Sequence, residues 1–250
     1  MSEPLLWTIG LGVLGAIVGS FVAALVLRWN DDRSVMQGRS SCDACGTTLR
    51  AFELVPLLSA LVQRGRCRTC HSAIAPVHWQ IEALGLTVGV AAGWIGAGPI
   101  AFAGVAFGWL LLVLGALDLT ALWLPDRLTG ALAGAGVVTG FWFDPPVVDR
   151  LIGGVFGFVA LWCVAAVYRR VRGREGMGGG DPKLFGAIGL WLGWEMLPAV
   201  LLIASMVGLG VVLVAHLRGR AVAADTALPF GTLLAIAAYP AWLFMIAYAS

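Results

Sequence analysis

Residues 5–27 read LLWTIGLGVLGAIVGSFVAALVL, a run without one charged side chain that stops at Arg28. A helix rises about 1.5 Å per residue, so this run is long enough to cross a hydrocarbon layer of about 30 Å. It is apolar all round, which a helix on the surface of a soluble protein is not. The rest of the chain agrees. Of 250 residues, 60% are apolar or aromatic and 12% are charged, where a soluble domain carries roughly 25% charged residues. That excludes an ordinary soluble domain, a disordered chain and a disulfide-rich module, and leaves a polytopic membrane protein. The net charge of +2 gives no electrostatic footprint for nucleic acid, so membrane lipid is the expected surrounding and no nucleic acid a partner.

Outward from that run, eight apolar segments predict an all-α membrane bundle of about eight transmembrane helices. They lie at 5–27, 79–97, 100–117, 128–143, 151–168, 184–197, 199–216 and 229–248. Gly98-Pro99, Pro145-Pro146, Pro198 and Pro229 mark breaks between them. Met1-Ser2-Glu3-Pro4 lacks the basic start of a signal peptide, so the first segment is expected to remain in the mature chain. Lys and Arg stay on the cytoplasmic side of membranes. Fifteen of the 16 basic residues fall in gaps after odd-numbered segments, and Arg150 alone falls on the other side. The segment 28–78 is therefore expected in the cytoplasm and both termini outside. Glycines recur at helix-face spacing (Gly12, Gly15, Gly19; Gly130, Gly134; Gly153, Gly157; Gly186, Gly189, Gly193) and predict close helix packing.

The cytoplasmic segment holds Cys42-Asp43-Ala44-Cys45 and Cys67-Arg68-Thr69-Cys70, with 21 residues between Cys45 and Cys67. Two such pairs supply four thiolates, the closed tetrahedral set of a structural zinc. A reducing compartment argues against disulfides. The loop has little core of its own, so metal would supply much of its folding energy. His71 and His78 are near but surplus to four thiols, and Cys163, alone in the fifth segment, is expected to serve packing.

Acidic groups beside membrane spans are costly and call for a reason. Asp118 ends the third segment and Asp181 precedes the sixth, after the run Gly176-Met177-Gly178-Gly179-Gly180. Both are expected at the cytoplasmic surface, on different helices. Two carboxyl groups that share a site hold one proton between them, and such a pair can activate water against a peptide carbonyl. The bland alternative is a solvated span end, or a helix start at Asp181-Pro182. Asp126 and Glu82 are weaker acid candidates. Lys183 is placed either to pair with Asp181 or to reinforce the charge bias.

These residues, in order, resemble the type IV prepilin peptidase family (prepilin leader peptidase/N-methyltransferase). Gly19-Ser20-Phe21 with Arg28, the loop Cys42–Cys70 with Pro56, Ser59 and Gly65-Arg66-Cys67, Asp118 through Leu124-Pro125-Asp126, and Gly178-Gly179-Gly180-Asp181 with Lys183-Leu184 all resemble that family's motifs. The resemblance implies a membrane aspartic endopeptidase that cuts short basic leaders from prepilins or pseudopilins, after a glycine, at the cytoplasmic face. It implies Asp118 and Asp181 as the catalytic pair, with Asp126 in the motif but outside the pair. It also implies, for many members, N-methylation of the new amino terminus with S-adenosylmethionine. Gly19 and Glu82 are the residues to test for that activity, although Ala23 and His78-Trp79 depart from the usual pattern there.

The combined expectation is a first transmembrane helix over 1–28, a zinc-binding cytoplasmic loop over 29–78 held by Cys42, Cys45, Cys67 and Cys70, and a peptidase bundle over 79–250, in the bacterial inner membrane. Two rivals from other classes are a non-enzymatic scaffold of a pilus or secretion assembly and an aspartate-dependent transporter.

Overall fold

A computed structural model describes residues 3–29, 40–219 and 228–249. Arg33, Arg39 and Arg220, counted in the charge bias, lie outside the described residues. The fold is all-helical. In chain order the helices are α1 (Glu3–Trp29), α2 (Leu58–Val62), α3 (Val77–Ile95), α4 (Pro99–Ala121), α5 (Asp126–Thr139), α6 (Val147–Arg172), α7 (Gly180–Leu192), α8 (Leu197–Leu217) and α9 (Phe230–Ala249), with a 3-10 turn at Ala51–Leu54. Extended pairing among the described residues is limited to two isolated bridges, Ser41 with Thr48 and Arg66 with Ala73.

All eight apolar segments are helical, but the count of eight full spans is corrected. Among the described residues five helices are long and apolar enough to cross a membrane: α1, α4, α6, α8 and α9. Helix α3 carries His78, Gln80 and Glu82 in its opening turns, which lowers its hydropathy. Helices α5 and α7 have 14 and 13 residues, so each rises only about 20 Å. The apolar residues Phe141, Trp142 and Phe143 that extended the fourth segment lie in turns after α5. Gly193, at φ 71°, ends α7.

The chain forms two compact units, Met1–Val105 and Ala106–Ser250. In the first, α1 and α3 run antiparallel with glycine against backbone. A Cβ on Gly15 would run into the Gly85 carbonyl, one on Gly89 into the Leu11 carbonyl, and one on Gly19 would stand 2.7 Å from the Ile81 carbonyl oxygen. Without a hydrophobic drive between helices in lipid, such close van der Waals contact is what holds them together.

The second unit uses the same device between α6 and α7. Gly153 meets Gly189 and Gly193, and Gly154 meets Gly186. Trp191, on α7, is fully buried, stacks on Phe107 at 4.6 Å between ring centroids and donates its indole N–H to the Leu132 carbonyl at 2.8 Å. Gly130 and Gly134 depart from the expected pattern: nothing lies within 4 Å of a Cβ on either. Cys163 is exposed on α6 rather than packed.

Arg150, the basic residue off the charge bias, is buried at 1% exposure. Its guanidinium donates to the carbonyls of Gly136, Phe143, Asp144, Pro145 and Leu190 and to the Thr139 hydroxyl, at 2.7–3.3 Å. It therefore closes the turn between α5 and α6 and ties that turn to the end of α7.

Candidate active site and metal centre

Asp118 sits in the last turn of α4 and Asp181 in the first turn of α7, and each is 5% exposed. The end of α4 and the starts of α7 and α9 converge on Leu124, which puts the two side chains in one cluster. Both are held by local backbone. The Gly178 N–H donates to Asp181 Oδ2 at 3.1 Å, so the glycine run curls back onto the side chain it precedes. Asp118 Oδ2 accepts the backbone N–H of Thr232 at 2.8 Å and lies 3.2 Å from the Thr232 hydroxyl. That hydroxyl is also 2.8 Å from the Gly115 carbonyl, one turn back along α4.

Glycine is required where the elements converge. A Cβ on Gly231 would stand 3.0 Å from both Asp118 Oδ2 and Leu124 Cδ1, and one on Gly180 would stand 2.8 Å from Leu124 Cβ. Leu124 thus fills the space between the starts of α7 and α9. It hangs from a tight turn after α4, in which Leu122 adopts φ 50°. Asp126 is outside this cluster. Its side chain is 73% exposed and pairs with Lys183 at 2.7 Å. Lys183 therefore pairs with Asp126, joining the starts of α5 and α7. Between α5, α6 and α7 an open groove of about 580 Å³ is lined by Gly130, Ala133, Gly154, Phe158, Gly186 and Ala187 among others.

Thr232 and Gly231 were invisible to a search for charged or metal-binding residues, since neither carries charge. The signal that could have found them is the turn Pro229-Phe230-Gly231-Thr232 opening an apolar helix. It leaves unpaired N–H groups at the start of α9, and a helix start attracts an anion.

In the first unit, Cys42, Cys45, Cys67 and Cys70 come together with their sulfurs all within 4.8 Å of one another. The Cys42 and Cys70 sulfurs are 3.8 Å apart. A tetrahedral zinc with bonds of about 2.3 Å requires thiolates roughly 3.8 Å apart, so the donor set fits a metal ion in chemistry and in size.

The two pairs fold alike. The Cys42 N–H reaches the Thr47 carbonyl and the Gly46 N–H the Cys42 carbonyl; the Cys67 N–H reaches the Ser72 carbonyl and the His71 N–H the Cys67 carbonyl. Gly46 and His71 occupy the same place in the two knuckles, with φ 70° and 57°. His71 is thus a turn residue, and the sulfur cluster does not include it. Hydrogen bonds from the Cys45 and Ala44 backbone pull the Cys42 thiol from 9.0 to about 6, which favours the thiolate that a metal needs.

Beside the knuckles lies a cavity of about 390 Å³ whose lining includes Ser20, Arg28, Glu53, His78 and Glu82. Glu82 is 6% exposed and accepts the Leu57 N–H at 2.8 Å, which ties the loop to α3. Gly19 does not line this cavity and serves the packing of α1 on α3.

Comparison with known proteins agrees with this layout. Residues 13–95 match the bacterial peptidase A24 N-terminal domain, and residues 105–213 match the type IV leader peptidase family. The chain is 38% identical to a prepilin leader peptidase/N-methyltransferase of Burkholderia pseudomallei (strain K96243), over 89% of this chain and 81% of that one. It is 34% identical to proteins of the same name from Stutzerimonas stutzeri and Pseudomonas aeruginosa, each over 97% of this chain and 92% of the relative. No solved structure gives a significant match. By the two matched domains, and by the share of each relative that it covers, the chain belongs to the type IV leader peptidase family and is a multi-pass membrane peptidase.

Proposed function

We propose that this peptidase is an aspartic endopeptidase that removes the short basic leader of type IV prepilins or pseudopilins, cutting after glycine at the cytoplasmic face of the bacterial inner membrane. The observation that carries the reading is the convergence of two buried carboxyl groups, Asp118 and Asp181, on the helix starts around Leu124 and Gly231, from helices far apart in sequence. One ionised carboxylate takes a proton from water while the protonated partner donates to the scissile carbonyl. Hydroxide adds to the carbonyl carbon, and the first carboxyl then returns its proton to the departing amine as the C–N bond breaks. Gly178 and Gly179 give a substrate backbone room to approach. The cytoplasmic placing rests on the Lys and Arg bias counted over all eight helical segments, with α3, α5 and α7 crossing as well.

Residues 29–78 act in this reading as a cytoplasmic loop folded around a structural zinc held by Cys42, Cys45, Cys67 and Cys70. Four thiolates leave no open position for water, so the metal supplies folding energy to the loop.

N-methylation of the new amino terminus is a second activity, supported by the name of the relatives and by the cavity beside the knuckles. Its volume of about 390 Å³ lies in the range of small-molecule sites, about 300–1,000 Å³. The buried Glu82 carboxylate suits the positive sulfonium of S-adenosylmethionine, which supplies the methyl group. Arg28 and Glu82 are the residues that would hold it.

Co-expression of a pilin-like precursor with wild type, Asp118→Asn or Asp181→Asn tests both activities, with the pilin N-terminus read by mass. Wild type is expected to remove the leader and add a methyl mass. Each variant is expected to lose at least a thousandfold in cleavage while accumulating in the membrane, the scale of loss when a catalytic acid or base is removed being about 10² to 10⁴ or more. Equal cleavage by all three would refute the pair.

A further inference from the structure

The proton inventory around Asp118 singles out Thr232. Its backbone N–H is fixed on Asp118 Oδ2 at 2.8 Å, which leaves Oδ1 as the carboxylate oxygen free of this donor. Its hydroxyl carries one hydrogen but has two acceptors in reach, the Gly115 carbonyl at 2.8 Å and Asp118 Oδ2 at 3.2 Å. A hydroxyl donates one hydrogen and accepts with its lone pairs. When Asp118 is ionised, the hydroxyl can turn its hydrogen to the carboxylate. When Asp118 has gained a proton, the hydroxyl can turn it to the Gly115 carbonyl instead. Neither state leaves the half-buried hydroxyl without an acceptor. Gly231 lets α9 start this close, since a Cβ there would press on Asp118 Oδ2. The contacts of Asp181 are different in kind: backbone N–H groups, of Gly178 and Gly231, and among the described residues no side-chain hydroxyl.

From this asymmetry we infer that Thr232 is a positioning residue whose hydroxyl follows the charge on Asp118, which makes Asp118 the base and Asp181 the acid of the pair. The inference rests on the aspartic mechanism proposed above. In the first step an O–H bond of water breaks and its proton goes to Asp118 Oδ1, while the oxygen bonds to the peptide carbon. Asp181 gives its proton to the carbonyl oxygen. As Asp118 loses its charge, the Thr232 hydrogen moves to the Gly115 carbonyl. In the second step Asp118 returns its proton to the leaving nitrogen, the C–N bond breaks, the extra proton on the intermediate's oxygen goes back to Asp181, and the Thr232 hydroxyl returns to Asp118.

The test uses the full chain in lipid with a precursor whose basic leader ends in glycine, and compares wild type with Thr232→Val and Thr232→Ser across pH. Thr232→Val keeps the shape and the backbone N–H but lacks the hydroxyl. It is expected to lose about tenfold or more in kcat on the acid side of the profile with KM within about twofold, since the ionised Asp118 loses a hydrogen-bond donor and less of the enzyme then carries the charged base. The acid limb of its kcat/KM profile is expected to move to higher pH. Thr232→Ser restores the hydroxyl and is expected within about threefold of wild type with the limb in place. If Thr232→Val fails to accumulate, Thr232→Ala carries the same prediction without added bulk. A wild-type kcat and pH profile in Thr232→Val, or a Thr232→Ser variant as impaired as Thr232→Val, would overturn the inference. Asp118→Asn and Asp181→Asn run alongside separate the two readings. If both are inactive while Thr232→Val behaves as wild type, the pair stands and Thr232 falls. If Asp118→Asn still cleaves, the aspartic reading itself has failed.

Discussion

His71 holds a left-handed backbone, φ 57°, at the position where the other knuckle has Gly46 at φ 70°. A side chain in that region costs roughly 1–2 kcal/mol, and glycine avoids the cost. His71→Gly is therefore expected to keep one metal ion per chain and to stabilise the loop by about 1 kcal/mol. Metal analysis with chelator competition checks both, and loss of the metal would show that the imidazole is a ligand after all. The cysteines themselves were legible because metal chemistry fixes residue type and spacing. Asp118 and Asp181 were legible because charge at a span edge is expensive. Thr232 was not, because its place beside Asp118 comes from distance rather than charge. Arg150 was visible only as an exception to the charge rule. Its cage of carbonyls is assembled from three separate stretches of chain, which no local pattern announces.

At the scale of the helix, glycines with the same spacing divide into two kinds. The α1–α3 pair keeps one antiparallel register along its length: Trp7 against Gly93, Leu11 against Gly89, Gly15 against Gly85 and Ile81 against Gly19. Gly89→Val would drive a branched side chain into the Leu11 carbonyl, so it is expected to destabilise the first unit by about 1–3 kcal/mol or prevent its accumulation. Gly130→Ala faces open space and is expected to stay within about 0.5 kcal/mol of wild type. Thermal unfolding of the two variants in one detergent compares them directly, and equal Tm values would contradict this division. Spacing along a sequence says that glycines share a face, but it does not say whether another backbone lies against that face. For the same reason the eight helical segments could be found from hydropathy while their lengths could not. Aromatic residues in a turn, such as Phe141 and Trp142, score as apolar whether or not the helix continues through them.

For the molecule as a whole, a peptidase in lipid needs one co-reactant that lipid excludes. In the mechanism proposed here water must reach Asp118 and Asp181, both nearly sealed by protein. Helices α5 and α7, at 14 and 13 residues, fall about 10 Å short of a typical hydrocarbon thickness. The bilayer beside a short helix thins to meet it, at a cost of fractions of a kcal/mol per Å. Cleavage in vesicles of thin, short-chain phospholipid is accordingly expected to run several-fold faster than in thick, long-chain phospholipid of the same headgroup. Equal rates in both would rule out a contribution from mismatch. Helix α7 begins beside Asp181 but is almost wholly buried in protein, so the edge toward lipid falls to α5, which follows the turn that bears Leu124. In the aspartic mechanism proposed above, the brevity of α5 would lower the lipid ceiling beside the two carboxyl groups, and the dip in the membrane would be the inlet for the solvent that hydrolysis consumes.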